Sequence, residues 1–332
     1  NDNVVDDCYL QLYNNVGVAW KTGLENAPEN PVTAGMQVTY FDDFKTMPSI
    51  NRTGIGADYA SAKVDEARGG MFGWAAFEDY DGPYNPFSIV DNEYMMITTT
   101  YHPTGYVNND YWKQKMTTGY LSSMAQDGTG FKTRGGTNQY FECRMFCGPN
   151  PGMWPAFWLL TANGYVQNSE ENKKYSDELD IIEGYLGTPG GYQIAWHQWG
   201  YDTKLGGGLV CSLETEEFSN INLAMGFHTF GVYITQNTTY YYCDNNLVAS
   251  HKTLPYSWEY GNYFIINAAV SDHYGIDGNA EDPFENFEIE NGFTRYGNEC
   301  YTYIDWVRVY EDLPGTVRFE ADKLTEIGRA HV

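Results

Sequence analysis

The sequence predicts an all-β sandwich or barrel. Short β-rich stretches recur along the chain, Gly, Pro, Asn and Asp separate them, and few segments carry helical periodicity. The composition agrees: of 332 residues 17% are aromatic and only 19% charged, a balance suited to strands and turns. That aromatic content excludes disorder for the bulk of the chain. A formal net charge of −25 repels phosphate backbones and anionic lipid, which argues against nucleic acid and membrane surfaces as partners. No apolar run approaches the roughly 18 residues of a membrane helix.

In chain order, strands are expected at Glu93–Tyr101, Gln139–Phe146, Ala156–Leu160, Glu178–Glu183, Gln193–Trp199, Thr229–Thr235, Thr239–Cys243, Tyr263–Val270 and Tyr303–Tyr310. The Asp244-Asn245-Asn246 step predicts a hairpin turn. Long loops at Asn51–Tyr84 and Asn163–Ser176 suit functional rims. Without an internal repeat or linker, residues 38–311 read as one domain, 1–37 as an arm or extra strand and 312–332 as a tail. Its end, Glu326 to Val332, has the look of translated adapter sequence and is set aside. The chain begins at Asn1, as a mature secreted protein or a trimmed chain would. Cys8, Cys143, Cys147, Cys211, Cys243 and Cys300 are scattered without a Cys-x-x-Cys pair, against a zinc ribbon or redox dithiol. Disulfides and buried thiols both stay open. Two sequons, at Asn51 and Asn237, matter only in a glycosylating source.

The most informative segment is Ser176-Asp177-Glu178-Leu179-Asp180-Ile181-Ile182-Glu183. In a regular strand Glu178 and Asp180 share one face, and Leu179 and Ile181 the other. Glu183 then falls on the wrong face. One β-bulge at Ile181-Ile182 restores the parity, so that all three acids point one way over an aliphatic core. Three carboxylates on one face repel one another, which a stable surface does not need. Retaining glycoside hydrolysis needs it: one carboxylate as nucleophile, a second as acid/base, about 5–5.5 Å apart. A middle acid can hydrogen-bond the nucleophile and keep the acid/base protonated. A solvated acidic strand or a calcium site are the competing readings of the same spacing.

Aromatic neighbours favour catalysis. In Met153-Trp154-Pro155-Ala156-Phe157-Trp158, alternation puts Trp154, Ala156 and Trp158 on one face. Indole faces bind the apolar faces of pyranose rings, although a strand Trp such as Trp158 is more often core. In Trp196-His197-Gln198-Trp199, His197 and Trp199 share one face and Trp196 and Gln198 the other.

These residues resemble glycoside hydrolase family 16. The resemblance rests on the bulged Glu-x-Asp-x-x-Glu row at Glu178, Asp180 and Glu183, with Trp154-Pro155-Ala156-Phe157-Trp158 upstream. Phe41-Asp42-Asp43-Phe44, Gln139-Tyr140-Phe141-Glu142-Cys143-Arg144, Phe227-His228-Thr229-Phe230-Gly231 and Ile304-Asp305-Trp306-Val307-Arg308-Val309-Tyr310 follow in the family's order, so that it covers roughly 38–311. It implies a β-jelly-roll of two curved antiparallel sheets with an open concave cleft, and endo-acting, retaining hydrolysis of a β-linked polysaccharide. Glu178 would be the nucleophile, Asp180 its electrostatic helper and Glu183 the general acid/base. Trp154, Trp158 and His197 match cleft positions; Trp199, beside His197, and Asn85, in the rim loop Trp74–Pro86, complete the expected substrate-binding set. The resemblance implies no cofactor for catalysis and a structural calcium on the convex side, with Asp305 as its carboxylate ligand. An Asp between Ile304 and Trp306 also needs some partner for its charge; Arg308 or an exposed strand edge are the alternatives to a cation.

The bulged row is shared by laminarinase-like enzymes and by agarase, porphyranase and carrageenase branches. The expected substrate is β-1,3- or mixed β-1,3/1,4-glucan, cleaved outside the cell by a secreted monomer. Ile182 in place of the usual Met, and the long loops Trp74–Pro86 and His102–Trp112, leave a red-algal galactan as the alternative. A sulfated polymer should recruit Arg or Lys to the cleft. A non-catalytic glucan-binding module is the third reading; such relatives usually lose an acid from the row, and all three are present here.

Overall fold

The computed structural model describes residues 11–12, 31–33, 35–62, 71–72, 75–102, 104, 115–148, 152–163, 176–184, 191–199, 206–212, 223, 226–270 and 298–312. They form β1 (Gln11–Leu12), β2 (Met36–Asp42), β3 (Ile50–Asn51), β4 (Tyr59–Ala60), β5 (Met71–Phe72), β6 (Ala75–Phe77), β7 (Phe87–Val90), β8 (Tyr94–Tyr101), β9 (Met116–Thr118) and β10 (Tyr120–Ser122). The second half holds β11 (Gln139–Phe146), β12 (Met153–Thr161), β13 (Ser176–Glu183), β14 (Gly191–Trp199), β15 (Gly206–Ser212), β16 (His228–Ile234), β17 (Thr238–Cys243), β18 (Asn246–Lys252), the helix α1 (Pro255–Tyr260), β19 (Asn262–Val270) and β20 (Glu299–Asp312).

Two sheets face each other. The twelve-stranded outer sheet runs β1-β18-β17-β16-β11-β20-β8-β9-β6-β5, with β2 on β20 and β7 on β8. The eight-stranded inner sheet runs β15-β14-β13-β12-β19-β10-β4-β3. The expected antiparallel pairing holds except for two parallel pairs, β3 with β4 and β6 with β9. The predicted turn joins β17 to β18 through Asp244 and Asn245, at φ 46° and 65°, the left-handed pair that a two-residue hairpin requires. The tail 313–332, the loop 164–175 and Cys8 lie outside the described residues, as does the side chain of Cys211. Cys143, Cys147, Cys243 and Cys300 are buried free thiols, and burial pushes Cys147 up to about 12.

The core between the sheets takes every second residue of each strand. Phe157 and Leu159 of β12, Leu179, Ile181 and Ile182 of β13 and Phe264, Ile266 and Ala268 of β19 meet Phe141, Phe230, Val232, Ile304 and Val309 of the outer sheet. Each such large side chain contributes about 1.5–3 kcal/mol through burial. A second apolar layer lies on the other face of the inner sheet, where Phe77, Tyr120, Trp158, Leu160, Tyr263 and Ile265 pack together.

One buried carboxylate fixes the start of β13. Asp177 is fully buried, and its Oδ2 accepts the N–H groups of Tyr256 and Ser257 at 2.7 and 2.9 Å. Those are first-turn donors of α1, whose own N-cap position, Leu254, supplies no side-chain acceptor. Gln198 Nε2 donates to Asp177 Oδ1 at 3.1 Å from the inward face of β14. Burial pushes Asp177 up to about 6 against the pull of these three donors. The strand carrying the acid row is thereby tied to a helix and to its neighbour strand at one point.

Candidate active site

The bulge falls where the parity argument requires it. On the β12 side, Trp158 pairs with Asp180 and Phe157 with Ile182, so Ile181 has no partner of its own. On the β14 side, Asp180 pairs with Ala195 and Glu183 with Gln193. Ile181 and Ile182 are both buried in the core, at 1% and 0% exposure, and Glu178, Asp180 and Glu183 emerge together on the opposite face.

That face is the floor of an open cleft of about 280 Å³. Trp154, Ala156 and Trp158 line it from β12, and His197 and Trp199 from β14, as alternation predicts. Trp158 combines both readings offered for it. It is 5% exposed within the second apolar layer, yet it borders the cleft, and its Nε1 donates to Asn267 Oδ1 at 2.7 Å. Trp199 is half exposed, borders the cleft and stacks on His197 with centroids 5.1 Å apart.

The donors converge on the first two acids. Trp199 Nε1 donates to Glu178 Oε2 at 3.0 Å. His197 Nε2 lies 3.3 Å from Asp180 Oδ2 and 4.0 Å from Glu178 Oε1. Burial, and after it the Glu183 carboxylate, push Asp180 well above the usual carboxylate range. Asp180 is thereby biased toward its protonated form, in which it can donate between two acids. Glu178, Asp180 and His197 bring one ligand atom each within 4.8 Å of one another, the one such metal-capable group among the described residues. A cation there would engage the very carboxylate that the row presents to the cleft.

Asn267 and Gln193 also line the cleft and were missed from sequence. Asn267 carried a usable signal, since it is an amide inside the apolar run Phe264-Ile265-Ile266-Asn267-Ala268-Ala269. Asn85 is not brought to the acids. It lines a different groove with Thr98 and Thr100 of β8, whose neighbours Ile97 and Met95 point into the core. The groove is thus on the solvent face of the outer sheet, across the sandwich from the cleft. The loop bearing Asn85 passes around the sheet edge instead of staying on the rim.

Asp305 also has a different partner from the one expected. It occupies a bulge of β20, between Ile304 opposite Met145 and Trp306 opposite Arg144, and it forms an ion pair with Arg144. The Arg144 guanidinium also lies 4.9 Å from the Phe227 ring centroid. The charge argument for a cation is therefore met within the chain. Among the described residues no His, Cys, Asp or Glu gathers with Asp305 into a metal-capable group of three. The Arg144 guanidinium thus satisfies the Asp305 charge without a metal cation. Arg144→Ala should cost about 1–3 kcal/mol in urea denaturation, because it strands a mostly buried carboxylate. Arg144→Ala combined with Asp305→Asn should recover part of that loss, and chelator should leave the native melting temperature unchanged.

Comparison with known proteins agrees with this architecture. The family model described as glycosyl hydrolases family 16 matches residues 91–271, more than half of the chain. The endo-1,3-1,4-beta-glycanase ExsH of Rhizobium meliloti is 30% identical over 213 residues, covering 60% of this chain and 36% of that protein. EglC of the same organism, also an endo-1,3-1,4-beta-glycanase, is 28% identical over 203 residues, 58% of this chain and 35% of its own. The chain thus spans about a third of the length of these relatives. Among solved structures, the catalytic domain of an endo-1,3-beta-glucanase (laminarinase) from Thermotoga petrophila superposes with a TM-score of 0.58 at 17% identity, covering 83% of this chain and 98% of that one. The endo-beta-1,3-glucanase from Pyrococcus furiosus gives 0.56 at 16% identity, over 84% and 95%. The two sheets form the jelly-roll sandwich of these proteins, and the matched segment contains the whole acid row: the chain belongs to glycosyl hydrolase family 16.

Proposed function

We propose that the protein is an endo-acting, retaining glycoside hydrolase that cleaves β-1,3- or mixed β-1,3/1,4-glucan outside the cell. The observation that carries this reading is the bulged β13, which presents Glu178, Asp180 and Glu183 on one face of an open cleft walled by indoles. An open cleft accepts the middle of a long chain, which suits internal cleavage. No Lys or Arg is among the described residues lining it, so nothing there recruits a sulfated polymer. The names of the Rhizobium relatives add support for a glucan with 1,3 and 1,4 linkages.

In the first step Glu183 donates its proton to the glycosidic oxygen while Glu178 attacks the anomeric carbon, giving a glycosyl-enzyme and a free chain end. In the second, Glu183 takes a proton from water, which displaces Glu178 by attacking the anomeric carbon from the opposite face, the one the leaving chain vacated. Asp180, protonated, donates to the nucleophile and stabilises it as charge returns to it on deglycosylation. Trp199 and His197 hold Glu178 in the attacking orientation.

Trp199→Phe keeps an aromatic platform and removes the N–H donor to Glu178. It should lower kcat about 10- to 100-fold with a smaller change in KM, the size of a hydrogen bond to a charged group. Since that donor favours the ionised carboxylate, the acidic limb of the kcat/KM profile should move to higher pH. A change in KM alone would show that Trp199 is a platform only. Incubation with laminarin, lichenan, agarose, porphyran and carrageenan, with products read by chromatography, tests the substrate. Oligosaccharide ladders from laminarin or lichenan are expected, and a ladder from a galactan alone would reassign it.

A further inference from the structure

The groove around Asn85 has the chemistry of a second sugar site. It measures about 490 Å³, within the range of about 300–1,000 Å³ usual for small-ligand sites. Its floor is the outward face of β8 and β20, where Thr98, Thr100 and Tyr301 lie side by side. One wall is the turn before β7. Tyr84 there is 42% exposed, one of the few large rings so open among the described residues. Its ring is braced edge-on against His102, with centroids 4.7 Å apart, and His102 Nε2 is held by Thr117 Oγ1 at 3.0 Å. The platform is therefore fixed in advance of any ligand, which lowers the entropic cost of binding.

The polar groups are arranged for a neutral polyol. Asn85 Oδ1 accepts the Phe87 N–H at 2.9 Å, which sets the amide with its NH₂ as the remaining donor. Ser88 Oγ, also lining the groove, is buried without a hydrogen-bond partner among the described residues. Glu299 accepts the Tyr301 hydroxyl at 2.6 Å and keeps lone pairs for further donors. Among the described residues of the lining, Glu299 is the one acidic or basic chain apart from His102, which burial shifts toward its neutral form. Among these residues an anionic ligand would meet a carboxylate and no cation. A saccharide offers what this lining lacks: an apolar ring face for Tyr84 and hydroxyls that both donate and accept.

We propose that this groove binds a segment of the same neutral β-glucan whose hydrolysis is assigned to the cleft, on the opposite face of the sandwich. The ligand class rests on the proposed function; the site itself rests on the groove. A polymer held there keeps the enzyme on an insoluble substrate while the cleft cuts elsewhere, an effective-concentration gain with no part in the chemistry.

The test uses the full chain carrying Glu178→Gln, so that no substrate is consumed. Calorimetric titration with laminarihexaose and with a mixed-linkage hexasaccharide should give two sites per chain. Tyr84→Ala in that background should leave one, and in the active enzyme it should lower the rate on insoluble glucan relative to soluble tetrasaccharide about 3- to 10-fold. A single site that survives Tyr84→Ala would overturn the second site and leave the cleft assignment standing. No saccharide binding at all, together with no hydrolysis by the native chain, would overturn both.

Discussion

Glu178→Ala is expected to lose about 10⁵-fold or more in kcat, roughly 7 kcal/mol of barrier, with the fold intact. The residue sits on the cleft face of β13, so its loss opens no cavity in the core. Without the carboxylate no glycosyl-enzyme can form, and neither Asp180 nor His197 can replace it. Asp180 is biased toward its protonated form, a poor nucleophile in that state. Sodium azide should restore turnover of an activated aryl β-glucoside by entering the vacated space, and the product should be the α-glycosyl azide. A β-azide would mean that another group forms the covalent bond.

Glu183→Ala should fail in a different way. General acid–base catalysis contributes about 10²–10⁴-fold, and the polysaccharide needs all of it because its leaving group is a sugar alkoxide. An aryl glycoside with an acidic leaving group needs little protonation, so its first step should be far less affected. Glycosyl-enzyme should then accumulate, visible as a burst and as a mass increment on the protein. Azide should accelerate its breakdown and give the β-azide, the opposite anomer from Glu178→Ala. Equal losses on polysaccharide and activated substrate would move the acid/base role away from Glu183.

The acid row was legible in the sequence because three charges on a strand with buried aliphatic neighbours have one geometric solution. A regular strand would bury Glu183, so the chain had to bulge at Ile181-Ile182, and it does. His197 and Trp199 followed from simple alternation. What the sequence left illegible shares a different property. Asp305 was read with its chain neighbours, but its partner Arg144 is 161 residues away and comes beside it only through the pairing of β11 with β20. Asn85 lies in the loop it was read in, but no local pattern says on which side of a sheet edge a loop passes. Asp177 stands beside the acid row with nothing local to assign it a role. Its role, capping a helix 79 residues downstream, depends on where that helix docks. Residue periodicity fixes faces; it does not fix which distant strand or helix will lie against them.

The double-displacement account is tested most directly by the anomeric form of the first product. Proton NMR can follow lichenan or laminarin hydrolysis at early times, before mutarotation scrambles the new reducing ends. Two carboxylates on one bulged strand, with Asp180 between them, predict attack by Glu178 and then by water on opposite faces in turn, and so a β-anomer first. Its signal should rise at once, with the α signal growing only later as the solution equilibrates. An α-anomer appearing first would show a single direct displacement by water, and would contradict the assignment of Glu178 as nucleophile.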